Sequence, residues 1–286
     1  MTEYESSLVV ETDAVKEVKL PHTAKIILVN SVAAVQESPF AKYLYVSDNG
    51  IKVYRLLPFK IHHEIEYSGS ISDLLIIGDQ MIVLSNESIV VWDGKKTQVI
   101  ADHFDGRLGA IGQDIGVQEN ERLSVYSIET LELKDRYAAN THYYIRDVLL
   151  TSIEHEVSLY SKGKKSLRIY MPERITKICT DPLLTNIYCG GCDGRIFCSN
   201  TSSREPITMA YHKSAIIGLE ISFCGKYLYS ASEEGTICIW DLNTNTVVGK
   251  VEVGTKIRKI KATYISGWDN SLEKHQDKIL VAKHIQ

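Results

Sequence analysis

The 286 residues of this chain carry 32 Lys and Arg against 36 Asp and Glu, a net charge of −4. The molecule as a whole therefore does not attract nucleic acid or an anionic membrane, and any RNA contact has to be local. With 44% apolar residues it can bury a large core without staples, as two ordinary domains or as one large all-β unit. No apolar stretch approaches the ~18 residues of a membrane span. The opening MTEYESSLVVETD is acidic, unlike a signal peptide, and four of six cysteines crowd into 179–198. A soluble, intracellular protein with free thiols is expected.

In chain order, the first strand candidates are 7–12 and 15–20. A recurring unit follows: an apolar run, a small-residue turn, and a second apolar run closed by an aromatic. It reads KYLYVSDNGIKVY (42–54), QMIVLSNESIVVWD (80–93), GQDIGVQENERLSVY (112–126), DVLLTSIEHEVSLY (147–160), TNIYCGGCDGRIF (185–197) and KYLYSASEEGTICIWD (226–241). The closing aromatics Tyr54, Trp92, Tyr126, Tyr160, Phe197 and Trp240 stand 38, 34, 34, 37 and 43 residues apart. Such a period suits one four-stranded propeller blade per repeat. Runs such as IVVW (89–92) and ICIW (237–240) are continuously apolar, as strands covered on both faces by neighbouring blades require.

After Trp240 the strand candidates are 246–253, 256–264 and 278–283. They complete the sixth unit and leave two strands, which with the two N-terminal ones make a seventh. The expectation is an all-β, seven-bladed β-propeller in one domain, 1–286, its closing blade shared by the N- and C-terminal strands. Such closure removes exposed sheet edges.

The segment YHKSAIIGLEISFCGKYLYSASEEGTICIWD (211–241) resembles the WD-repeat family almost along its length. The resemblance implies a buried hydrogen-bonded chain of Trp240, a strand serine (Ser230 or Ser232), His212 and an acidic turn residue, beside Asp241 of the Trp-Asp pair. Glu234 stands where the family usually has Asp. Trp92-Asp93 keeps the dipeptide without an upstream His, and Tyr54, Tyr126 and Tyr160 replace Trp, so those blades rely on packing. Trp268-Asp269 opens a polar stretch and is read as a loop. A catalytic reading of His212 with Ser230 fails for want of an exposed nucleophile beside an oxyanion hole.

Two further constellations invite chemistry. Cys189-Gly-Gly-Cys192 with Cys179 and Cys198 offers four thiols, but only one knuckle is present and the outer two fall on different strands, so buried thiols rather than zinc are expected. The glycines of Gly190-Gly191-Cys192-Asp193-Gly194 precede a strand, with no Gly-Lys-Ser/Thr, and read as turn residues rather than a phosphate cradle. Basic residues gather at 162–168 and 250–261, with Lys256, Arg258, Lys259 and Lys261 as a candidate contact patch for an acidic partner or RNA; at a net charge of −4 a solvated surface is the favoured expectation.

Across 167–262 the chain also resembles the WD-repeat subunits of rixosome-type complexes, through CGGCDGRIF, HKSAIIGLEIS and GTICIWDLNTNTVVGKVEVGTKIRKIKA. That resemblance implies a non-catalytic scaffold in a multiprotein nuclear complex, in large ribosomal subunit assembly and processing of the internal transcribed spacer, with contact to pre-ribosomal particles. The alternative is a WD-repeat scaffold of a coat, nuclear-pore or checkpoint assembly, including a cytoplasmic one. No cofactor, metal, membrane or small-molecule substrate is expected. A propeller enzyme would need His or carboxylate clusters converging on the central channel, whereas the acids here are scattered among turns.

Overall fold

Strands form where the apolar runs lie and break at the Gly, Asn and Asp turns between them. The computed structural model describes residues 15–19, 24–29, 33–37, 42–47, 50–56, 59–85, 88–94, 97–101, 104, 106–203, 205–222, 225–253, 257–265 and 276–283. Among these every regular element is a strand. Among the described residues no helix is long and apolar enough to cross a membrane.

Two N-terminal strands, β1 (Val15–Lys19) and β2 (Ala24–Val29), precede the repeats. Blade 1 comprises β3 (Ala33–Glu37), β4 (Lys42–Ser47), β5 (Ile51–Leu56) and β6 (Phe59–Ile65). Blade 2 comprises β7 (Asp73–Ile77), β8 (Gln80–Leu84), β9 (Ser88–Trp92) and β10 (Thr97–Ala101). Blade 3 follows with β11 (Arg107–Ile111), β12 (Asp114–Glu119), β13 (Arg122–Tyr126) and β14 (Leu133–Ala138). Blade 4 holds β15 (Thr141–Ile145), β16 (Val148–Ile153), β17 (Glu156–Ser161) and β18 (Lys164–Tyr170). Blade 5 holds β19 (Ile175–Thr180), β20 (Asn186–Gly191), β21 (Arg195–Asn200) and β22 (Pro206–Ala210). Blade 6 ends the series with β23 (Ile216–Ile221), β24 (Tyr227–Ser232), β25 (Thr236–Asp241) and β26 (Thr246–Glu252). Each is a four-stranded meander in chain order. Two-residue turns join several of its strands, with Arg146 and Asp147 at φ 47° and 62° and Lys162 and Gly163 at 50° and 73°. Paired positive φ values suit the twist of a tight hairpin.

The seventh unit draws on both chain ends, as the strand reading expects, but departs from that reading in its strands and their pairing. Its strands come from both chain ends, β27 (Ile257–Ile265) and β28 (Gln276–Lys283) joining β1 and β2 in the order β1-β2-β28-β27. The β2–β28 step is parallel, Ala24 facing Asp277 and Val29 facing Ala282. Regular meander blades thus number six rather than seven, and the closing sheet is a composite. Ala24–Val29 (AKIILV) takes the inner N-terminal place because its continuous apolar run suits a strand flanked on both sides. The candidate at 7–12 lies outside the described residues, as do Trp268 and Asp269.

The core lies between successive blades. One buried cluster joins Ile51 of blade 1 to Leu74 and Val83 of blade 2, and another joins Ile82 and Val91 to Ile115 and Val117 of blade 3. The sequence repeats itself down to Tyr229, Ile237 and Ile239 of blade 6 packing on Ile257 and Ile260 of the closing sheet. Side-chain bonds pin neighbouring inner strands: Asp73 accepts the amides of Leu74 and Leu108, both at 2.9 Å. Thr176 Oγ1 lies 2.5 Å from Ile216 O and 3.0 Å from Gly190 O.

Candidate functional site

In blade 6 the two halves of the hairpin and the loop before it meet in one hydrogen-bonded chain. The Trp240 indole Nε1–H donates to Ser230 Oγ at 2.8 Å, and Ser230 Oγ lies 2.6 Å from His212 Nε2. Trp240, Ser230 and His212 are 2%, 0% and 8% exposed. An indole only donates, so Ser230 accepts from it, and the buried hydroxyl proton then needs an acceptor that His212 Nε2 provides. His212 consequently carries its proton on Nδ1, and that atom has no partner among the described residues. Burial lowers the imidazole pKa to about 4, so the ring is neutral near pH 7.

The acidic residues fall outside this chain. Glu234 Oε1 accepts from Ser232 Oγ at 3.5 Å, and Ser232 also donates toward Thr236 O at 3.4 Å. Asp241 instead caps the next turn, accepting from the Asn243 amide at 2.8 Å. With Ser230 fully buried, the His–Ser pair has no exposed nucleophile, and its chemistry is that of a packed polar strut.

Blade 5 solves the same packing without a hydrogen-bonded chain of this kind. Leu228 faces Trp240 and Ile187 faces Ser199, so Ser199, not Phe197, is the counterpart of Trp240. The spacings after Tyr160 become 39 and 41 residues in place of 37 and 43. Phe197 sits two residues earlier on the same face, opposite Cys189, which corresponds to Ser230. Met171 takes the place of His212, each four residues before the first paired residue of its inner strand. Met171, Cys189 and Phe197 share one buried cluster. Burial raises the Cys189 thiol far above its ordinary range. Ser199 is fully buried and its Oγ has no partner among the described residues.

The two glycines expected in a turn lie within β20. A Cβ on Gly190 would come 2.4 Å from the Ile216 side chain, so the inner strand of blade 6 requires this glycine. Gly194 is the turn residue, at φ 88°, and a Cβ there would meet His212 O at 2.6 Å. The turn of blade 5 thereby sets the loop that carries His212. Among the cysteines, Cys179 and Cys189 are buried, Cys198 is half-buried and Cys192 is exposed in the turn. No group of three or more metal-ligating side chains gathers among the described residues.

Two concave regions stand out among the described residues. The first, about 720 Å³, lies on the propeller axis, lined by residues of the inner strands β7, β11, β15, β19 and β23 and by Ile260. Arg107, His142, Tyr143, Tyr144, Lys177 and Glu220 are its charged or titratable members besides Asp73. His142 Nδ1 is 3.1 Å from Gln118 Oε1, and its ring fills the space beside Gly109. The second, about 530 Å³, opens at the outer end of the blade 5–blade 6 seam and is lined by Tyr211, His212, Lys213, Glu234, Thr236, Lys250 and Glu252. Sequence reasoning found His212 and Glu234 but missed the others, because Lys250 and Glu252 reach the loop only once β26 pairs with β25. Lys256 lies outside the described residues; Arg258, Lys259 and Lys261 fall on the backbone of β27, their side chains outside the description.

Residues 205–241, from the residue before β22 to the end of β25, match the family described as WD domain, G-beta repeat. Together with the sheets this defines the class as an all-β, WD-type β-propeller. The chain is also similar to WD repeat-containing protein 18 of Danio rerio, 26% identical over 116 residues. The match covers 35% of this chain and spans 27% of that protein's length.

Proposed function

We propose that the chain, folded as one propeller unit, is a non-catalytic protein-interaction scaffold in large ribosomal subunit assembly and internal transcribed spacer processing, acting in the nucleus within a rixosome-like complex. The observation that carries this reading is the WD repeat at 205–241, set in a fold whose side-chain chemistry is spent between blades while the turns and outer strands face outward. The resemblance across 167–262 and the similarity to the zebrafish WD-repeat protein support the finer part. Propellers serve many functions, so the complex has to be identified by its members. Affinity purification of the tagged full chain with mass spectrometry tests it: large-subunit precursors and rixosome-type subunits are expected. Recovery of only coat, pore or checkpoint components overturns it. For the non-catalytic part, turnover of a hydrolase substrate that is abolished by altering residues of the axial cavity would be decisive against it.

A further inference from the structure

Of the eight large apolar side chains exposed among the described residues, three flank one seam: Ile207, Tyr211 and Val248, at 59%, 44% and 56%. Ile207 faces Cys198 across the β21–β22 pair, on the side of blade 5 that turns toward blade 6. Val248 stands at the β-bulge beside Trp240. Of the three, Tyr211 lines the 530 Å³ cavity at this seam, together with His212.

Several of the polar groups lining this cavity are paired with one another. Glu252 is held by Lys250 and by the Thr236 hydroxyl at 2.8 Å, and Glu234 by Ser232. Lys250 also sits over the Tyr211 ring, 5.6 Å from its centroid. Two donors are left over. Lys213 is exposed and makes no ion pair among the described residues, and the Nδ1–H of His212, more than nine-tenths buried, has no acceptor. A buried donor without an acceptor costs about 1–3 kcal/mol, and a carboxylate supplies the strongest remedy.

We propose that this seam is a docking site for an extended segment of a partner protein. The segment places an aspartate or glutamate side chain in the cavity, against His212 Nδ1–H and Lys213, with apolar neighbours on Ile207, Tyr211 and Val248. Anchoring by one desolvated charge-assisted contact within an apolar surround is how small surfaces gain specificity. The site is independent of the complex proposed above.

Nitrogen-detected NMR of the imidazoles in the full-length, ¹⁵N-labelled protein tests it, with the blocked peptides Ac-Ile-Asp-Ile-NH2 and Ac-Ile-Asn-Ile-NH2 as probes. The free protein should show His212 protonated on Nδ1. The aspartate peptide should shift that resonance saturably, and the asparagine peptide should bind roughly tenfold more weakly. Lys213→Ala, an exposed substitution that leaves the core intact, should weaken the aspartate peptide by a similar factor, while Lys134→Ala on blade 3 should not. A proton on Nε2, no shift up to the peptide's solubility limit, equal binding of both peptides, or indifference to Lys213→Ala would each overturn the proposal.

Discussion

Blades 5 and 6 place corresponding residues at the same depth and pack them against the preceding blade, yet one uses Met171, Cys189 and Phe197 and the other His212, Ser230 and Trp240. The apolar set gains by area and shape alone. The polar set buries a comparable aromatic but adds directional bonds, each worth about 0.5–1.5 kcal/mol net, and takes on the risk of an unmade one. Blade 6 shows that risk at His212 Nδ1, and blade 5 shows a smaller version at Ser199 Oγ, where a hydroxyl occupies the slot of the missing Trp. Packing sets the blade; hydrogen bonding only fixes how its parts are oriented.

The comparison is most severely strained by removing the aromatic from either blade. Trp240→Ala and Phe197→Ala should each cost about 3–5 kcal/mol in urea unfolding, because both are buried and the cavity cannot collapse between two sheets. Similar losses are expected despite the different polarity around them. A Trp240 loss several-fold the larger would mean that the bonds, not the packing, dominate.

Acid should distinguish the blades next. Burial lowers His212 to about 4, so between that pH and the ordinary 6.5 the unfolded chain binds more protons than the folded one. Stability is therefore complete above 6.5 and falls as pH drops toward 4, by about 3 kcal/mol at most. His212→Met, the residue blade 5 uses, should flatten the pH dependence of the thermal midpoint over this window while lowering it at pH 7. An unchanged slope would show that other groups carry the acid response.

A reciprocal exchange is smaller and sharper. Ser230→Cys should weaken the protein by about 1–3 kcal/mol through the buried indole and imidazole it leaves poorly paired, and Cys189→Ser should weaken it by a like amount through the hydroxyl it strands among Met171 and Phe197. Equal tolerance of both changes in chemical denaturation would break the distinction between the blades. The smallest effect expected is a gain: Glu234→Asp, which draws the carboxylate away from Ser232, should add about 0.5–1.5 kcal/mol by giving His212 Nδ1–H its acceptor.

Much of the fold was legible because each repeat announces itself locally. Apolar runs broken by Asn-Gly, Asp-Gly or Glu-Gly turns place β4–β5, β20–β21 and β24–β25 directly, and His212, Ser230 and Trp240 could be grouped from the best-preserved repeat. Register was harder. Phe197 looked like the closing aromatic of blade 5 since nothing local says that Ile187 pairs with Ser199; a shift of two residues keeps the same face, so the pattern is blind to it. Gly190 looked like a turn residue because the approach of Ile216, 26 residues on, leaves no local trace.

Composition and repeat spacing by themselves determined that this chain is all-β, built of four-stranded units with apolar faces and closed by its two ends, since strand period, turn residues and blade length are encoded within a few tens of residues. Only the tertiary structure decided the parallel joining of β2 to β28, the exclusion of Glu234 and Asp241 from the His212–Trp240 chain, and the pocket at the blade 5–blade 6 seam. These depend on contacts between residues distant in sequence, where a few tenths of an ångström or one methylene decides which donor meets which acceptor.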